Sequence, residues 1–88
     1  MESFCVTWTN DLELRAVFEQ IVVKNDLKGS VIILWGNGLK LPLRIKLDVL
    51  LKHAQMVFAE DFDTWVYSDR DKWCIEIYHE GEICFGYA

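Results

Sequence analysis

Two periods run through this chain, and between them they lay out a fold. At the start, Phe4, Val6 and Trp8 alternate with Cys5, Thr7 and Thr9, the two-residue period of a strand. Asn10 followed by Glu13 then gives a near capping box, in which the Asn side chain accepts from a free amide of the first turn and Glu13 reaches back. This predicts a helix over Asp11–Lys24, with Leu14, Val17, Phe18 and Ile21 forming one apolar stripe. Residues 25–30 break the helix, with Gly29 available for a positive φ. The run VIILW at 31–35 is short, continuous and β-branched, as expected of a buried central strand, and GNG at 36–38 follows as a hairpin turn. Residues 39–47 alternate again, with Leu39, Leu41, Leu43, Ile45 and Leu47 on one side and Lys40, Pro42, Arg44 and Lys46 on the other. Pro42 lacks a ladder donor, which places this strand at a sheet edge, where its basic row also discourages pairing with another molecule. Asp48 is expected to cap a second helix reaching about residue 60, with Leu50, Ala54, Val57 and Phe58 on its buried side.

The tail poses a choice. CIEIYHEGEIC, at 74–84, holds two cysteines, a histidine and three glutamates, the residue types of a metal or hydrolytic centre. Register favours a plainer reading. A three-residue loop, His79-Glu80-Gly81, with Gly81 in the left-handed region, pairs Tyr78 with Glu82, Ile77 with Ile83, Ile75 with Phe85 and Trp73 with Tyr87, so that one face becomes wholly apolar. A second loop at Asp69-Arg70-Asp71 would pair Tyr67 with Trp73 and Trp65 with Ile75. A three-stranded meander then carries Trp65, Tyr67, Trp73, Ile75, Ile77, Ile83, Phe85 and Tyr87 on its core side. Val66, Ser68, Lys72, Cys74, Glu76, Tyr78, Glu82 and Cys84 are left outside. The whole chain, residues 1–88, reads as one α+β domain: two helices on a mostly antiparallel sheet, in the order β-α-β-β-α-β-β-β.

Composition narrows the function classes. With 52% hydrophobic residues the chain has the means to bury a core. Its longest apolar runs are about five residues, against roughly 20 for a membrane-spanning helix, so no span is expected. Three cysteines without a C-x-x-C spacing, and no basic-then-apolar leader pattern, point to the cytoplasm. The net charge of −5 is lopsided: residues 1–59 hold seven basic and six acidic side chains, residues 60–88 two and eight. Such a tail repels phosphate backbones and draws cationic partners, which disfavours direct nucleic-acid binding.

The candidate chemistry is thin. Cys74 and Cys84 lie diagonally in the inferred register, roughly 7 Å apart at Cα, a poor disulfide geometry that leaves half-buried free thiols as the expectation. A structural zinc needs about four ligands, and His79 belongs to a turn, so no metal or cofactor is expected. His53 is a solitary helical histidine, and only tertiary folding could bring it to a cysteine for nucleophilic catalysis. An enzyme is therefore not expected. The pattern fits a small acidic inhibitor that binds a basic, nuclease-like toxin, in the manner of immunity and antitoxin proteins. Its contact residues would be Asp61, Asp63, Asp69, Asp71, Glu76, Glu80 and Glu82, with Tyr78 as an aromatic anchor. The alternative is a self-associating subunit, dimeric through the tail strand or the edge at 39–47.

Overall fold

Asn10 turns the first corner of the fold. Its Oδ1 accepts the Glu13 amide at 2.9 Å, while Glu13 Oε1 accepts the Thr9 amide at 2.9 Å, so two amides at the helix start are satisfied reciprocally. In the computed structural model, which describes residues 3–36, 40–60 and 63–87, this corner joins strand β1 (Ser3–Thr7) to helix α1 (Asp11–Lys24). Gly29, at φ +95°, then admits strand β2 (Ser30–Trp35). Strand β3 (Leu43–Lys46), helices α2 (Leu47–Lys52) and α3 (Ala54–Phe58), and strands β4 (Thr64–Ser68), β5 (Trp73–Tyr78) and β6 (Glu82–Tyr87) complete the order. The class is α+β. Among the described residues, six strands form one sheet, β1-β6-β5-β4-β2-β3, in which each neighbouring pair is antiparallel.

Three details differ from the sequence reading. The strand expected over 39–47 is only four residues long: Leu39 lies outside the described residues, Leu41 is 84% exposed, and Leu47 begins a helix. The pairing with β2 carries on to the first residue of the helix, where the Leu47 amide donates to Gly29 O, directly opposite it in the β2–β3 register, at 2.9 Å. The second helix is two helices. His53, at φ −120° and ψ 21°, donates its amide to Leu50 O and so closes α2 one residue early; α3 restarts at Ala54. Asp48 sits in the first turn of α2 rather than at its cap, which is Lys46. The break turns Leu47 and Leu50, and then Ala54, Val57 and Phe58, toward the same core.

The tail hairpin pairs as expected, Ile77 with Ile83 and Ile75 with Phe85. Gly81 is required twice over: it has φ +103°, and a Cβ there would meet Trp8 O at 2.9 Å. The β4–β5 hairpin is shifted by one residue. Its loop runs from 69 to 72, Ser68 faces Trp73 and Val66 faces Ile75, because Lys72 takes a left-handed conformation at φ 60° and donates its amide to Ser68 O. One residue of shift inverts a whole strand. Thr64, Val66 and Ser68 therefore face the core, and Trp65 and Tyr67 face away from it. The thiol expectation also changes. Cys5 lies directly opposite Cys84 across β1 and β6, Cα–Cα 4.0 Å, and the two form a disulfide; Cys74 alone is free.

The core lies on one side of the sheet. Leu14, Phe18, Ile21 and Val22 of α1 and the buried residues of α2 and α3 pack on Val31, Ile33, Val66, Ile75, Ile77, Ile83 and Phe85. Trp35 Nε1 donates to Val57 O at 3.1 Å and ties β2 to α3. The tail strand β6 is interior to the sheet; its edges are β3 and β1. No described helix is long and apolar enough to cross a membrane.

Candidate functional site

Since the helices occupy one face of the sheet, alternation leaves the other face uncovered, and the strand register fixes what it shows. One row crosses Ser3, Gly86, Cys74, Tyr67, Ile32 and Arg44 from β1 to β3. The next crosses Cys5, Cys84, Glu76, Trp65 and Leu34. Beyond it, Thr7, Glu82 and Tyr78 stand side by side. Apart from Glu76, the centre of this face is apolar, aromatic or sulfur-bearing, an unusual make-up for a surface no helix covers.

Glu76 is half-buried at the middle of the face. The Tyr78 hydroxyl donates to its Oε2, and this bond, followed by burial, pushes the Tyr78 phenol up to about 12. The Trp65 ring stands edge-on to Tyr78, centroids 6.4 Å apart at 89°. Among the described residues no basic side chain pairs with Glu76. Beside it, the small residues Gly86 and Cys74 leave a trough of about 710 Å³, bounded by Tyr67 on one side and by Ser3 and Cys5 on the other. Lys72 and Asp69 stand at its far end.

The expected acidic residues fall into two groups, one at each end of the sheet. Asp63 Oδ1 accepts the His79 amide at 3.1 Å and lies 3.0 Å from His79 Nδ1, with Glu80 3.7 Å from the same ring nitrogen. The His79 hydrogen bond holds the Asp63 carboxyl below its usual range, and Asp63 in turn raises the imidazole. Glu82 is near this end, opposite Tyr78. At the other end Asp69 is bound to Arg44 at 3.0 Å, which depresses the Asp69 carboxyl, and Asp71 lies 3.8 Å from Arg70. Glu76 and Tyr78 occupy the centre. Asp61 lies outside the described residues. Trp65 and Tyr67 are the members of this face that the sequence pattern assigned to the core. The available signal was Thr64-x-Val66-x-Ser68, three small residues in alternation that suit close packing beneath helices.

Among the described residues, two side-chain groups have the geometry to approach a metal ion. Ligand atoms of Asp63, His79 and Glu80 lie within 4.8 Å of one another, as do those of Cys5, Glu82 and Cys84. Each offers three ligands where a structural zinc takes about four. The sulfurs of the second group are joined to each other in the disulfide. Cys74 is poorly suited to attack: burial, and then Glu76, push its thiol up to about 11, which leaves little thiolate at neutral pH. His53 belongs to the helix layer, on the opposite side of the sheet from Cys74, so folding does not unite the two. Comparison with known proteins returns no match to a family profile, a curated sequence or a solved structure.

Proposed function

We propose that this protein acts by binding, as an inhibitor of the immunity or antitoxin kind that blocks a basic, nuclease-like partner with the open face of its sheet. The observation that carries the reading is Glu76: a half-buried carboxylate set among Trp65, Tyr67 and Tyr78, with no basic side chain paired to it among the described residues. Large aromatic residues around a shielded centre are what binding hot spots are made of, and the lone charge at that centre selects a cationic partner. Asp63, Glu80 and Glu82 extend the acidic field at one end of the contact, whereas Asp69 and Asp71 at the other end are matched by Arg44 and Arg70. The cytoplasm is the compartment proposed with this role. In that compartment the thiol pool would reduce the Cys5–Cys84 disulfide that the structure holds, and β1 would stay joined to β6 by its ladder.

The test is affinity capture from the source cell's lysate at low and high salt, followed by a nuclease assay on what is retained. A basic protein released by salt, whose nuclease activity the wild-type protein abolishes at one-to-one stoichiometry and an E76Q/E82Q variant does not, is the expected outcome. Retained protein without such activity, or inhibition unchanged by the substitutions, overturns it. A second reading, a homodimer through a sheet edge, is favoured by β1, which has no charged residue and exposes Phe4 (44%) and Val6 (38%). It predicts a micromolar dimer in sedimentation that salt leaves intact.

A further inference from the structure

We infer that the trough beside Glu76 seats one arginine side chain of the partner, with its stem over Gly86 and Cys74 and its guanidinium on the Glu76 carboxylate. This rests on the binding role proposed above and names the chemistry of its anchor. The trough exists because Gly86 and Cys74, side by side on adjacent strands, put almost no side chain on the open face, whereas Tyr67 next to them stands tall. Its floor is therefore thin, apolar and closely approachable, which suits a methylene stem and not a polar one.

At the inner end the chemistry changes. Tyr78 holds Glu76 Oε2, which fixes the carboxylate and leaves Oε1 free to accept from an incoming group. Lys72, in the turn before β5 at the far end of the trough, forms no ion pair with Glu76, and Arg44 is committed to Asp69 at 3.0 Å. An anion would be repelled by Glu76, and a neutral chain would leave the shielded charge uncompensated. A planar guanidinium satisfies Oε1 and stacks on the Tyr67 ring at once, which a compact ammonium does less well. The volume of about 710 Å³ leaves room for the backbone flanking such an arginine.

The probe is N-acetyl-arginine amide, with N-acetyl-citrulline amide as its neutral isostere, titrated into the folded protein and followed by amide chemical shifts. Saturable shifts at Tyr67, Cys74, Glu76 and Gly86 are expected with arginine, and binding roughly tenfold weaker with citrulline. E76Q should reduce arginine to the citrulline level, and G86L should abolish both by filling the floor. E19Q, on the exposed side of α1, should change nothing, and retained shift dispersion in each variant shows that it is folded. Equal shifts with the two probes, arginine shifts that survive E76Q, or no shift at the highest soluble concentration would each overturn the inference. Because the titration needs no partner, it is judged separately from the inhibitor role, whose own test is the salt-dependent nuclease assay.

Discussion

Val31, Val66, Ile75 and Ile83 on the helix-covered face of the sheet are sealed from water; Ile32, Trp65, Glu76 and Cys84, each one residue away in sequence, are half-exposed on the other. Neighbours in the chain thus live under different physics. On the covered face, stability comes from excluded water and close packing with α1, α2 and α3. On the open face it comes from a few particular bonds: the Cys5–Cys84 disulfide, the Tyr78–Glu76 hydrogen bond and the Asp69–Arg44 pair. The covered face therefore tolerates little change in shape, while the open face is under fewer packing constraints.

The largest effect expected from breaking this contrast is on the covalent bond. The disulfide joins residues 79 apart in sequence, so its loss in the oxidised protein should lower unfolding free energy by about 4 kcal/mol. Denaturant midpoints of wild type and C5A, with and without a phosphine reductant, measure it; a midpoint unmoved by reduction would show that the crosslink adds little. Ile75→Ala on the covered face should cost about 3 kcal/mol by leaving a cavity at a residue with no exposure. Trp65→Ala on the open face, by contrast, should cost about 1 kcal/mol or less while weakening partner capture. Comparable losses from the two substitutions would end the distinction between the faces. Thr64→Val tests a polar intruder on the covered face: its hydroxyl is buried and, among the described residues, has no hydrogen-bond partner, so a methyl there should be neutral or stabilise by up to about 1 kcal/mol.

The smallest effect is a pH profile at the acidic end of the open face. His79 is raised by Asp63, so its contribution to stability is complete below the unfolded value of about 6.5 and is lost as pH climbs through the higher folded value. Asp63 is lowered, so its share is present above the usual carboxylate range, about 3.9, and disappears as pH falls through the folded value. The stability difference between wild type and D63N should be greatest between these limits and shrink on both sides. Urea midpoints from acid to mildly alkaline pH test this, and a difference that grows toward alkaline pH would reverse the assignment.

How much of this was legible in the sequence depended on the range of the determining interaction. The Asp11–Lys24 helix and the His79-Glu80-Gly81 turn are written in adjacent residues, a cap and a glycine, and both fold as read. The β4–β5 register turned on Lys72 adopting positive φ, for which a lysine gives no sign, and that one conformation moved Trp65 and Tyr67 from the core to the open face. His53 ended a helix whose apolar spacing continued past it. The Cys5–Cys84 pair depended on strand order, a long-range outcome that alternation within a strand does not encode. Glu76 and Tyr78 were placed outward from the pattern alone; that they share a hydrogen bond beside a trough needed the packed sheet.

The position of β1 also bears on how the chain reaches this state. Among the described strands its one neighbour is β6, so during synthesis β1 has no partner until β6, far downstream of it, has emerged. Bringing the two together closes nearly the whole chain into a loop before any of their contacts repay the entropy, which puts this step on the slow side of folding. In the interval Phe4 and Val6 sit on an uncharged, unpaired strand, the kind of segment that invites pairing with another nascent chain. Synthesis rate and chaperone supply should therefore govern the yield of native protein more strongly than its equilibrium stability does.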